Sequence, residues 1–147
     1  MSLKDQLNDA MKAAMKARDT LRLSAVRMVN SVIKNREIEI HTELSDQAVI
    51  DVISTLAKQR RESIRMFRDG NRPELAEKEE QELAVLLEFL PTQLSSDEIN
   101  SLIRQIIIDI AANGTKDMGK VMKAVTPLTA GKADGKAVSD AVRRLLA

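Results

Sequence analysis

The sequence predicts an all-α protein, with an N-terminal four-helix bundle followed by a small C-terminal three-helix domain. Three observations carry this. Every long segment repeats its apolar residues at helical period, and no run of five or more residues alternates as a half-buried strand does. Short polar residues that start helices recur ahead of these periodic segments. The apolar fraction, 44% of 147 residues, supplies a packed core and is too rich for a disordered chain.

The first helix opens at Ser2, whose hydroxyl can cap it while Asp5 answers three residues on; Leu3, Leu7, Met11, Ala14 and Met15 form its apolar stripe. Asp19 caps the second, which carries Leu23, Val26, Met28, Val29, Ile33 and Ile40. Ser45-Asp46 caps the third, with Val49, Ile53, Leu56, Ile64 and Phe67, and Gly70-Asn71 is expected to close it in the left-handed conformation. Pro73 suits the first turn of a fourth helix, whose Leu75, Leu83, Leu86, Leu87 and Leu90 precede the stop at Pro91. Leu90-Pro91-Thr92-Gln93-Leu94-Ser95 joins a terminator to a new capping box, Ser95 to Glu98, and sets a boundary between domains 1–93 and 94–147. Beyond it, Ile99, Leu102, Ile103, Ile106, Ile107 and Ile110 form a wide apolar face ended by Asn113-Gly114. A short helix around Met118, Val121, Met122 and Val125 has Pro127 near its end and Gly131 as its breaker. Asp134 then caps a last helix with Val138, Ala141, Val142 and Leu145.

Composition removes whole classes of chemistry. With no Cys, disulfides, thiolate zinc sites and cysteine nucleophiles are excluded. With two Phe, no Tyr and no Trp, a base-stacking platform for single-stranded nucleic acid is disfavoured, as are aromatic-lined sugar or adenine pockets. His41, the one imidazole, follows Ile40 near a helix end and reads as a solvated residue beside a cap rather than as a triad or metal partner. Glu77, Glu79, Glu80 and Glu82 have no His at metal-site spacing and read as a solvated acidic face. No catalytic residue, metal site or cofactor is assigned. No apolar stretch is long enough to cross a bilayer and the first residues are not a signal peptide, so no membrane partner and a cytoplasmic location are expected.

Charge is balanced in total, 23 Lys and Arg against 22 Asp and Glu, but sorted along the chain. Residues 58–72 hold six basic side chains (Lys58, Arg60, Arg61, Arg65, Arg68 and Arg72) and two acidic, whereas residues 74–88 hold six Glu and one Lys. An antiparallel pairing of these helices makes the two runs a ladder of surface ion pairs, each worth roughly 0 to 1 kcal/mol. The alternative is a basic ridge for phosphates or an acidic partner. From Lys116 to the C-terminus there are seven basic and three acidic residues. Gly119 lies inside a helical segment at a cost of about 1 kcal/mol relative to Ala, which implies close backbone approach, by a neighbouring helix or by a nucleic-acid backbone. Lys132 and Lys136, around Gly135, stand at a helix N-terminus whose free N–H groups suit phosphate. The segment is not a P-loop: its glycine spacing differs, no strand precedes it, and no Ser or Thr follows the lysine.

Several of these segments resemble the YqeY family, small bacterial helical proteins that are similar to the C-terminal part of GatB, a subunit of tRNA-dependent amidotransferase. They are Leu23-Ser24 through Val26-Arg27-Met28, Lys58-Gln59-Arg60-Arg61 with Ser63 and Phe67, Asn71-Arg72, and Phe89-Leu90-Pro91 with Gln93-Leu94. The most specific pair is Asp117-Met118-Gly119-Lys120-Val121-Met122 with Gly131-Lys132-Ala133-Asp134-Gly135. In GatB, a carbon–nitrogen ligase subunit that works with a glutamine amide donor, the resemblance implies a tail that contacts the tRNA body while other domains carry the chemistry. It therefore implies a tail-like domain at 94–147 and a protein that binds tRNA or a similarly shaped RNA, not DNA, without activity of its own. An accessory role in tRNA amidation or aminoacylation follows from the same resemblance. The residues expected to make the contact are Lys116, Gly119, Lys120, Lys123, Lys132, Gly135 and Lys136, with the 58–72 ridge as a second basic surface. The rival expectation is a protein-interaction module that docks on a translation-related or amidotransferase assembly through that ridge or the acidic fourth helix.

Overall fold

Each helix begins where the chain can satisfy or dispense with the amides of a first turn. The computed structural model describes all 147 residues and is all-helical. Its elements are α1 (Leu3–Ala17), α2 (Thr20–Ile40), α3 (Asp46–Asp69), α4 (Pro73–Leu87), α5 (Ser96–Asp109), a 3₁₀ turn (Thr115–Asp117), α6 (Met118–Thr129) and α7 (Gly135–Leu146). Ser2 Oγ accepts from the Asp5 N–H at 3.1 Å while the Asp5 carboxylate accepts from the Ser2 N–H at 3.3 Å, the reciprocal box expected for α1. Ser95 and Glu98 repeat it at α5, both bonds being 3.1 Å. Asp19 and Ser45 cap α2 and α3 by accepting from the N–H groups of Arg22 and Ala48. Helix α4 starts instead on Pro73, which has no amide to satisfy.

Two helix ends differ from expectation. Gly70 is not left-handed (φ −83°), because its N–H still closes the last turn of α3 on the Met66 carbonyl at 2.9 Å. Asn71 alone takes the left-handed form, at φ 56°, and Arg72 N–H then bonds the Phe67 carbonyl at 2.7 Å. Helix α5 stops before Asn113-Gly114: Ala111 turns left-handed at φ 53°, and Ala112 N–H bonds back to the Ile107 carbonyl at 3.0 Å. A left-handed alanine costs about 1 kcal/mol, so neighbouring packing sets this end rather than local preference. Gly114, at φ 77°, then leads into the 3₁₀ turn.

The chain divides into two compact units, Met1–Pro91 and Thr92–Ala147. In the first, α3 lies along α4 and α1 along α2, and α2 also meets α3 and α4. Their shared core holds Leu3 and Leu7 of α1, Val26, Val29 and Ile33 of α2, Val49, Ile53 and Leu56 of α3, and Val85 and Leu86 of α4. A polar clasp ties the start of α1 to the α2–α3 loop. Glu37 accepts from Lys4 Nζ at 2.7 Å and from the Leu44 N–H at 2.8 Å, and Asp46 accepts from the Leu3 N–H at 3.1 Å. The apolar stripes are wider than the surface that neighbours cover, so Met15, Met28, Ile40 and Leu75 stay exposed.

In the second unit α5, α6 and α7 each pack on the other two. Ile99, Ile103 and Ile106, Val121 and Val125, and Val138, Val142 and Leu146 meet at its core. The segment leading into α5 is pinned to the α6–α7 loop, where Leu94 N–H donates to the Lys132 carbonyl and Gln93 Nε2 to the Gly131 carbonyl, each at 2.8 Å. Helix α6 runs through Pro127 to Thr129 and breaks before Gly131, which sits at φ 75°.

Candidate polyanion-binding surface

Helix α6 is strongly two-faced. Val121, Val125 and Thr129 are buried. At 100° per residue, Lys116, Lys120 and Lys123 fall within an arc of about 60° on the opposite side, with Lys116 supplied by the 3₁₀ turn. All three are exposed, as are Lys132 in the following loop and Lys136 in the first turn of α7. Two of the five have partners in the unit: Lys120 Nζ lies 3.7 Å from Asp117, and Lys136 Nζ lies 3.0 Å from Asp140. Asp117 also accepts from the Asn113 N–H at 2.8 Å. That bond, reinforced by Lys120 and Lys116, holds its carboxyl below the usual aspartate range.

The two glycines of this surface bear on what close approach means here. A Cβ built on Gly119 or on Gly135 meets no atom within 4 Å. No neighbouring helix packs against Gly119, so helix–helix contact does not explain it. Both backbones open to solvent beside the lysines. Asp134 stands at the N-cap position of α7 but does not cap the first-turn amides with its side chain.

The second basic surface is divided by the structure. Arg60 turns inward: its Nε lies 3.2 Å from Glu79 and 2.9 Å from Glu82 of α4, and its side chain is 15% exposed. The Arg60 Nε and Glu79 Oε2 atoms are buried without an aligned hydrogen bond, so this contact is one of charge rather than direction. Arg68 pairs with Glu80. The facing charge runs thus do form ion pairs between α3 and α4, but Lys58, Arg65 and Arg72 stay outside them, spaced seven residues apart on one face of α3. Arg61, on the same side, is half-buried.

His41 is exposed in the left-handed cap of α2, and no group of three or more His, Cys, Asp or Glu residues converges to hold a metal ion. Glu79 and Glu82, two of the four acidic residues weighed for a metal, are held instead by Arg60. The sequence reading has no counterpart for a groove of about 610 Å³ between α2 and α3, lined among others by Val32, Arg36, Ile40, Leu44, Asp51 and Val52. Its residues sit on two helices whose divergence no local pattern signals.

A helical chain of this organisation, with this lysine-rich last unit, belongs to a known class: residues 4–146 match the family described as Yqey-like protein, and the chain belongs to that family. Among curated proteins it is similar to "Altered inheritance of mitochondria protein 41, mitochondrial" of the yeast Kluyveromyces lactis, with 37% identity over 108 residues covering 71% of this chain and 58% of that protein. The protein of the same name from Vanderwaltozyma polyspora is 33% identical over 123 residues, covering 81% of this chain and 66% of the relative. The chain thus spans about three-fifths of the length of these relatives. Two expectations change. The cytoplasmic location does not stand, because these relatives are named as mitochondrial proteins, which points to mitochondria instead. The relatives are also yeast proteins, where the resemblance had implied bacterial ones.

Proposed function

We propose that the protein is a non-catalytic binder of tRNA or a similarly shaped RNA, and that its last three helices form the gripping domain while its first four form a supporting bundle. Lys116, Lys120, Lys123, Lys132 and Lys136 supply positive charge to the sugar–phosphate backbone, and Gly119 and Gly135 let that backbone approach the helix starts. The observation that carries this reading is the open space at both glycines beside five exposed lysines. A glycine that no intramolecular neighbour requires, within a helix that would gain from alanine, is accounted for by a ligand that comes close. With no aromatic platform, recognition rests on shape and phosphate, is poor in sequence discrimination, and is driven by counterion release. An accessory role in tRNA amidation or aminoacylation is part of this proposal, on the resemblance to the GatB tail.

The rival reading, docking on a protein of that machinery through the 58–72 ridge, has less to work with, since Arg60 and Arg68 are engaged by α4. A gel-shift titration with total tRNA at two salt concentrations separates the two. The proposal expects binding that weakens steeply as salt rises. Undetectable binding at low salt, or affinity indifferent to salt, overturns it.

A further inference from the structure

The groove between α2 and α3 is a second surface that the RNA reading does not use. Its floor is apolar, from Val32 and Ile40 of α2, Leu44 of the connecting loop, and Ala48, Val52 and Leu56 of α3. The helix that forms one wall also leaves large apolar side chains in solvent: Met28 is 43% exposed, Ile38 61% and Ile40 47%. Exposed apolar surface gathered on one element marks an interaction site more often than scattered single residues do.

The rim decides the occupant. Arg36 on the α2 wall has no ion pair or hydrogen bond, and Asp51 on the α3 wall accepts only from Gln47 Nε2, at 3.1 Å. The Thr55 hydroxyl is turned to the Asp51 carbonyl at 3.0 Å and offers the groove no donor. An anionic amphiphile that satisfied Arg36 would meet Asp51, and a cationic one would meet the reverse conflict. The occupant must bring one charge of each sign, spaced as the groove spaces them.

We propose that this occupant is a second copy of the same chain, joined about a twofold axis. Each copy then lays its α2 into the other's groove, and Arg36 of each faces Asp51 of the other, so the pair of charges is satisfied twice by symmetry. The lengths agree: Val32 to Ile40 spans about 12 Å of helix and the Ala48–Gln59 wall about 17 Å, at 1.5 Å per residue. The exposed Ile40 becomes the apolar anchor at the centre of the contact.

Sedimentation velocity of the full chain over about 5 to 200 µM tests this. The expected result is reversible association from the 16.3 kDa monomer to twice that mass. Ile40→Glu, at an already exposed position, abolishes it with helicity unchanged by circular dichroism. Arg36→Glu and Asp51→Arg each weaken association about tenfold, and the two together in one chain restore it, because swapped charges again face each other. A chain that stays monomeric across the range overturns the proposal. So does a dimer indifferent to Ile40→Glu, or a double charge swap no better than either single change.

Discussion

Replacing Gly119 by alanine moves stability and binding in opposite directions. An added Cβ meets nothing within 4 Å, and the position lies in the helical body of α6, so the substitution introduces no clash. Alanine is preferred to glycine in a helix by about 0.5–1 kcal/mol, mostly through the smaller entropy that the unfolded chain loses. For a unit of the size of Thr92–Ala147, a urea slope of about 1 kcal/mol per molar converts this into a midpoint raised by about 0.5–1 M. A phosphate that reached the helix backbone at Gly119 is held off by the new methyl. Each phosphate contact scales affinity by roughly the inverse 0.8 power of salt concentration, so one lost contact costs about sixfold at 0.1 M. Urea unfolding followed by circular dichroism and fluorescence anisotropy with labelled tRNA read the two effects on one preparation. A lower midpoint refutes the open geometry. A raised midpoint with unchanged affinity refutes the role given to the glycine.

Other expectations follow from the packing and the charge contacts. Ile103→Ala removes a fully buried side chain at a cost of about 3 kcal/mol, which approaches the whole stability of a unit this small. Urea titration then shows an early loss of part of the helicity, with the first unit unfolding near its original midpoint; an unchanged single transition contradicts this. Arg60→Met leaves Glu79 and Glu82 facing each other half-buried and destabilises by about 2 kcal/mol, while Arg68→Met, half-exposed with its partner Glu80, costs less than about 1 kcal/mol. Equal effects in chemical denaturation refute that ranking. The Lys4 hydrogen bond and then the Leu44 amide hold Glu37 below its ordinary 4.5, and the Asn113 amide holds Asp117 below 3.8. Both contribute stability that is complete above those values and is lost as pH falls through the lowered folded ones. Lys4, raised above 10.5 chiefly by Glu37, contributes below that value and loses it as pH rises further. Glu37→Gln therefore shallows both the acid and the alkaline limbs of a stability–pH profile. An unchanged profile contradicts the clasp.

Local chemistry made much of the fold legible. The capping boxes at Ser2 and Ser95, the caps at Asp19 and Ser45, and the start at Pro73 are each decided within about four residues, and each stands where the pattern put it. The helix ends were harder. Gly70 looked like a left-handed stop, but one more backbone bond moved the reversal to Asn71, and Ala111 took a conformation that its own preference opposes. Burial explains the other misses. Met28 and Ile40 fit an apolar stripe as well as Val29 and Ile33 do, yet only the arrangement of α3 and α4 decides which residues are covered. In the candidate site, the lysines were readable from charge sorting, but the division of the 58–72 ridge was not. Arg60 and Arg65 are alike in sequence, and the side of α3 that faces α4 separates an ion-paired residue from a solvated one.

The most direct test of the account compares the salt dependence of tRNA binding for the parent chain and for the Lys116→Gln, Lys120→Gln, Lys123→Gln triple variant, between about 0.05 and 0.3 M potassium chloride. These side chains are exposed and their replacement leaves the fold intact, which circular dichroism checks. If the α6 face holds phosphates, the slope of log affinity against log salt becomes shallower by about 2 to 3, and affinity at 0.1 M falls by about two orders of magnitude. The same slope in both proteins, or an equal loss when three lysines remote from α6 (Lys12, Lys16 and Lys34) are replaced instead, contradicts the claim that this face binds RNA.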